Sequence, residues 1–212
     1  MEDIVVYIDE DDDSRRVYGE LLRENLVDSV EVRAIEPGKT VQDTLELLRS
    51  FPARMVSIVI DERLYAKGTA DFTGTQFVEA YREFDDKLPI YILTNHPDDI
   101  DEWLSGVEYI LSKSDISDDE LTPKIFSKIF RHINVYNEIC DERTDRFRNL
   151  IGKSIDYSLS TEESEELNKL RRWRVMGVLT AEEPSASHLK RKLDEKSQLI
   201  DSIDELLKKV GH

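Results

Sequence analysis

The chain has 212 residues, 39% hydrophobic and 35% charged, which allows one substantial core plus an appendage and does not fit a disordered segment. No apolar run reaches the roughly 20 residues of a bilayer span. MEDIVV lacks the basic-then-apolar order of a signal peptide, so a cytoplasmic location is expected and no membrane role. The net charge of -17 is concentrated: residues 1–121 hold 30 acids and 12 bases, residues 122–212 hold 16 acids and 17 bases. The first part should repel nucleic acid and suits a site where carboxylates gather around a cation.

The apolar run at 4–8 reads as a buried strand, and 15–26 as a helix with Val17, Leu21, Leu22 and Leu26 on one face. A second strand at 30–35 ends at Pro37 and Gly38. Val41, Leu45 and Leu48 mark the next helix, and 55–60 the third strand. A helix after Thr73 and Gly74 carries Phe77, Val78, Tyr81 and Phe84; then come a strand at 90–93, a short helix at 97–104 and a fifth strand at 107–111. Strands apolar along their whole length and alternating with helices predict an α/β domain with a parallel sheet covered on both faces.

Beyond residue 121 no strand is evident. Thr122 as cap and Pro123 in the first turn open a helix whose stripe, Ile125, Ile129, Ile133, Tyr136 and Ile139 or Cys140, outruns what a covering helix needs and predicts projection from the first domain. The single cysteine, Cys140, cannot form an internal disulfide and fits core packing. Ser160 to Glu163 is a capping-box start for a helix bearing Leu167, Leu170 and Trp173. A last helix from about 187 places Leu189, Leu193, Lys196, Ile200, Ile203, Leu207 and Val210 at alternating steps of four and three, a heptad seam with one polar interruption. Such a seam needs a covering helix, from the same bundle or a second subunit. The reading is therefore a domain at 1–121 whose last helix runs on, and an all-α output or interaction region at 122–212.

Ligands of parallel sheets bind beyond the carboxyl ends of the strands, where crossovers diverge. The residues just there are Asp9 and Glu10, Asp61, Thr94 and Lys113. Carboxylates that converge repel one another, and a divalent cation removes that penalty while neutralising a transferring phosphoryl group. Mg²⁺, a hard cation preferring oxygen ligands, is the expected ion. Lysine supplies a compact charge for phosphate oxygens and threonine one directed hydrogen bond.

IDED at 8–11 with Arg15 following, IVID at 58–61, YILT at 91–94 and ILSK at 110–113 resemble, in order and spacing, the receiver domains of two-component response regulators. The resemblance covers about 3–135. It implies a flavodoxin-like, doubly wound sheet of order 2-1-3-4-5, Asp61 as phospho-acceptor, Asp9, Glu10 and the Arg63 carbonyl with Asp61 as Mg²⁺ ligands, and Thr94 and Lys113 on the phosphoryl group. It also implies a sensor histidine kinase or phosphotransfer protein as donor, and a switch rather than an enzyme, with self-catalysed dephosphorylation. The chain departs from the family pattern in four places. Ser114 replaces the proline after the lysine, and Asn95 replaces a small residue after the threonine. Ile110 stands where an aromatic is expected, with Tyr109 one place off, and the loop 62–73 is longer than usual. That loop reads either as a flexible flap bearing Arg63 and Lys67 or as a solvated insertion.

Other readings compete. A haloacid-dehalogenase-like phosphatase would use Asp9 as nucleophile, Asp11 as acid and Asp118-Asp119 as the late pair; it leaves Asp61 and Arg15 unexplained. EPGKT at 36–40 lacks the first glycine of a phosphate-binding loop and reads as a turn before a helix. His96, His132, His188 and His212 have no ligand spacing. A phosphorelay role for His132 is weighed against a solvated helical histidine. Arg171-Arg172-Trp173-Arg174 and Lys190-Arg191-Lys192 would serve a DNA-binding regulator, but a net +1 over 91 residues is too little and no tri-helical pattern appears.

Overall fold

The computed structural model describes residues 3–26, 30–51, 53–100 and 106–177. The expected heptad helix, Lys190-Arg191-Lys192, His188 and His212 lie outside them. Five strands form one parallel sheet: β1 (Asp3–Ile8), β2 (Glu31–Ile35), β3 (Arg54–Asp61), β4 (Ile90–Thr94) and β5 (Tyr109–Ser112), in the order β2-β1-β3-β4-β5. This is the flavodoxin-like order. Register pairs Ile8 with Ile35 and Ile60, and Asp61 with Leu93, so the strand ends that carry the acids are level. All of Ile4 to Ile8 and Met55 to Ile60 is buried, which is why these strands are apolar on both faces.

Helix α1 (Asp12–Asn25) begins earlier than the periodicity predicts, because Asp11 caps it by accepting from the Ser14 N–H while Asp12 and Asp13 occupy the positive first turn. Three of the five consecutive acids at 9–13 thus belong to a helix start, not to a cation cradle. Val17 is 54% exposed and stands off the expected face, where Gly19, Leu22 and Leu26 are buried instead. Helices α2 (Val41–Arg49) and α3 (Gly74–Tyr81) open with reciprocal capping boxes, Thr40 with Asp43 and Thr73 with Gln76. Thr40 thereby makes EPGKT the turn and helix start expected of it. Between β4 and β5 the described chain holds only a 3-10 turn, Pro97–Asp99, after which Ile100 is extended; the helix expected at 97–104 stops there, and 101–105 lie outside the described residues.

Helix α4 (Thr122–Asp156) runs 35 residues, about 52 Å at 1.5 Å per residue. Thr122 does not cap it: its hydroxyl donates to the Ile116 and Asp118 carbonyls, while the Asp118 carboxylate takes the Leu121 N–H at 3.0 Å. Its first half buries Phe126, Ile129, Ile133, Tyr136 and Cys140, the last with its thiol pushed up to about 11 by burial. Beyond Cys140 the helix does not run free. Helix α5 (Thr161–Gly177), opened by the Ser160–Glu163 box, folds back and buries Leu167, Leu170 and Trp173. The described residues all fall in one compact unit.

The tie between helices and sheet is polar. Asp85, 2% exposed at the start of the α3–β4 connection, accepts from the Tyr136 hydroxyl at 2.6 Å, Arg143 Nη1 at 2.8 Å and the Lys87 N–H at 2.9 Å. Arg143 also holds Asp86 at 2.6 Å, and its guanidinium lies over Trp173. The buried Trp173 of the basic run at 171–174 is thus a packing residue, not a stacking platform for bases. Among the described residues no helix is long and apolar enough to cross a membrane.

Candidate functional site

Asp9, Asp61 and Lys113 meet at the carboxyl ends of β1, β3 and β5. Lys113 Nζ lies 2.9 Å from Asp9 Oδ2 and 2.7 Å from Asp61 Oδ1, all three groups being buried. The Arg63 N–H donates to Asp61 Oδ2 at 2.6 Å, and the Asp11 N–H to Asp9 Oδ1 at 2.8 Å. Thr94, 2% exposed, accepts the His96 N–H at 3.1 Å, leaving its hydroxyl proton free to donate. Together with Glu10, Arg63, Asn95 and Lys67 these residues line a cavity of about 460 Å³. The Ser114 loop still delivers Lys113 to the acids: Ser114 Oγ contacts Ser112 Oγ at 2.6 Å and the Lys113 N–H is held by the Thr94 carbonyl.

One ammonium faces the carboxylates of Asp9 and Asp61, with Glu10 beside them. Burial, then the Asp9 charge, push the Asp61 carboxyl above its usual range against the opposing pull of Lys113. Burial pulls Lys113 down, but the Asp61 and Asp9 carboxylates outweigh it and hold the ammonium charged. Glu10 is pushed up to about 7, first by burial and then by Asp9 and Asp61, against a lowering hydrogen bond from its own backbone. Its Oε2 is buried without a partner.

Among the described residues no three His, Cys, Asp or Glu side chains form a ready metal cage. Mg²⁺ needs less, since it keeps several waters and takes one or two carboxylates. The orphaned Glu10 oxygen beside Asp9 and Asp61 is a hard donor set of that kind. The Arg63 carbonyl, which accepts the Ala66 N–H at 2.9 Å, retains one lone pair for the same ion.

Two residues of the site escaped the sequence reading. The Tyr7 hydroxyl donates to Asp9 Oδ2 at 2.5 Å, and Tyr18 of α1 packs edge-on against Tyr7 and lies under Lys113 Nζ at 5.2 Å. The signal for Tyr7 was available: a phenol two places before Asp9 in a buried strand shares its face. Tyr18, one helical step from the apolar stripe, gave none. The aromatic near Lys113 points elsewhere, with Tyr109 48% exposed and covered by Lys128 Nζ at 4.5 Å. His132 is half-buried: its ring stacks on Tyr91 and its Nδ1 lies 2.7 Å from the Tyr91 hydroxyl.

The loop 62–73 is neither flap-like at its base nor merely solvated, since Leu64, Ala70 and Phe72 are buried. Gly74 closes it against β3: a Cβ there would stand 2.5 Å from the Asp61 carbonyl oxygen. Gly74→Ala is expected to cost about 1–3 kcal/mol by overpacking against the Asp61 backbone, as chemical denaturation would show.

Because Glu10 releases its proton near 4.5 when unfolded and near 7 when folded, the folded state holds the extra proton between those values. Stability is expected to fall as pH rises through that window and to level off above it. Melting curves of wild type and Glu10→Gln check this: the variant should lose the part of the slope that Glu10 carries and keep the part due to Asp61 and Glu62, whose carboxyls burial also holds above their usual range.

No family model matches the chain, and no curated protein does. Solved structures with similar architecture include three proteins of low identity. A sensor protein from Polaromonas sp. JS666 is 16% identical, the alignment covering 63% of this chain and 97% of that one, TM-score 0.47. A CheY-like response regulator receiver domain protein from Methanospirillum hungatei JF-1 is 12% identical over 65% and 98%, TM-score 0.46. A CheY-like receiver domain from Methylobacillus flagellatus is 14% identical over 61% and 99%, TM-score 0.46. Each is a likeness of fold.

Proposed function

We propose that the chain is a phosphorylation-dependent signalling switch of the response-regulator kind, acting in the cytoplasm, with Asp61 as phospho-acceptor and a sensor histidine kinase or phosphotransfer protein as donor. The observation that carries this reading is the buried Asp61 carboxylate at the end of β3, 2.7 Å from Lys113 and beside Asp9 and the unpartnered Glu10 oxygen. A carboxylate oxygen of Asp61 attacks phosphorus; the nitrogen–phosphorus bond of the donor phosphohistidine breaks, and the imidazole leaves as it takes up a proton. Lys113 Nζ takes charge from the phosphoryl oxygens, and the Thr94 hydroxyl donates to one of them. Asp9, Glu10, Asp61 and the Arg63 carbonyl would hold Mg²⁺, which would supply charge neutralisation there.

The readout in this reading is protein contact through 122–212, not nucleic acid. The outcome is a change of state, with slow self-hydrolysis, rather than turnover of a substrate. Incubating the protein with Mg²⁺ and acetyl phosphate should add one phosphoryl group, found by mass spectrometry on the peptide containing Asp61. Modification at Asp9, or none at all, would overturn the reading.

A further inference from the structure

The loop 62–73 spans the site it borders. Its base is buried through Leu64, Ala70 and Phe72, and its tip turns at Gly68, whose φ of 76° suits glycine and meets nothing nearby. Two cations leave the loop in opposite directions. Lys67 Nζ donates to the Asp11 carboxylate at the start of α1, and Arg63 Nη2 donates to Asp99 Oδ2 at 2.7 Å in the turn after β4. Because β3 lies between β1 and β4, these two acids flank Asp61, and the loop is tied to both flanks. Ala66 and Lys67 wall the cavity that Asp61 lines.

The ties differ in kind from the anchors. Both ion pairs are solvent-exposed, with the Lys67 side chain 56% and the Asp99 side chain 61% accessible, whereas the loop base is packed in the core. An exposed pair shifts an equilibrium by up to about fivefold, enough to bias a segment toward closure and too little to lock it. Both pairs are also screened by salt, unlike the anchors.

We infer that Lys67 and Arg63 make this loop an access-limiting strap, which slows the passage of small phosphodonors and water through the cavity to Asp61 and so governs both phosphoryl entry and the lifetime of the aspartyl phosphate. The inference rests on Asp61 being the acceptor. In the hydrolysis that the strap slows, a water oxygen bonds to phosphorus, the bond between phosphorus and the Asp61 oxygen breaks, inorganic phosphate leaves and the water's proton passes to solvent.

The test uses the full chain with Mg²⁺ and acetyl phosphate, following gain and loss of the phosphoryl group by intact mass. Lys67→Met and Asp99→Asn should each raise both rates by up to about fivefold. The double variant should exceed either, and Lys67→Arg should keep the wild-type rates. Added salt should speed the wild type and leave the double variant unmoved, a response that a merely structural role would not give. Should the double variant fail to fold, the salt dependence of the wild type and the single variants carry the test. Equal rates in wild type and variants, or rates indifferent to salt, overturn the strap while leaving Asp61 as acceptor. Absence of any modification at Asp61 in every protein overturns the acceptor reading and the strap with it.

Discussion

Asp61→Asn is expected to abolish Mg²⁺-dependent phosphoryl uptake while leaving the fold intact. Asparagine matches aspartate in size and can still accept the Arg63 N–H, but its amide oxygen is too weak a nucleophile to form the acyl phosphate. The substitution also removes one of three crowded carboxyl groups, and Lys113 keeps Asp9 at 2.9 Å, so the variant should melt at or above the wild-type temperature. Loss of uptake with retained stability separates a chemical role from a structural one.

The same variant decides against the phosphatase alternative, in which Asp9 attacks and turnover would survive. The geometry already weighs against that alternative. Asp11, which would have to be the general acid, is held down to about 2 by the Lys67 ammonium and by hydrogen bonds from Ser14. A group ionised so far below neutrality has no proton to give.

Asp85→Ala should be strongly destabilising. Removing one partner of a buried ion pair costs about 3–5 kcal/mol, because the remaining charge stays in a poorly solvated place. Here the variant leaves both Arg143, with 16% of its side chain accessible, and the Tyr136 hydroxyl without their buried acceptor. At about 2–4 °C per kcal/mol for a chain of this size, the melting temperature should fall by about 10 °C. Asp85→Asn, which keeps an acceptor for Tyr136, should lose roughly half as much. A loss below about 1 kcal/mol in Asp85→Ala would mean that the helices are held by Leu167, Leu170 and Trp173 alone.

What could be read in advance follows from what local patterns encode. The strands β1, β3 and β4 were legible because their runs are apolar and almost wholly buried, β2 and β5 from shorter apolar runs, and the strand-end residues Asp9, Asp61, Thr94 and Lys113 were found by looking at the ends of these runs. Sheet order is not a local property, and it was expected only from the family resemblance. How the acids at 9–13 divide between strand end and helix start was not legible, since helix capping and cation binding use the same residue type and only the backbone shows where α1 begins. Val17 misled because a single apolar residue satisfies a 3.6-residue period as easily from the rim as from the core. The Asp85–Tyr136–Arg143 contacts join positions more than 50 residues apart, and nothing in periodicity or spacing announces such a pairing.

Helix α4 begins four residues after the turn that follows Lys113, and some two-thirds of the way along it carries Arg143 on Asp85. Between those two points the helix is clamped to the core by Phe126, Ile129, Ile133, Tyr136 and Cys140, so a displacement at its head moves the packed half as a body and is carried along to the overhang. Any shift of the lysine-bearing turn would therefore be delivered at the far side of the molecule as leverage on the hairpin that α5 completes.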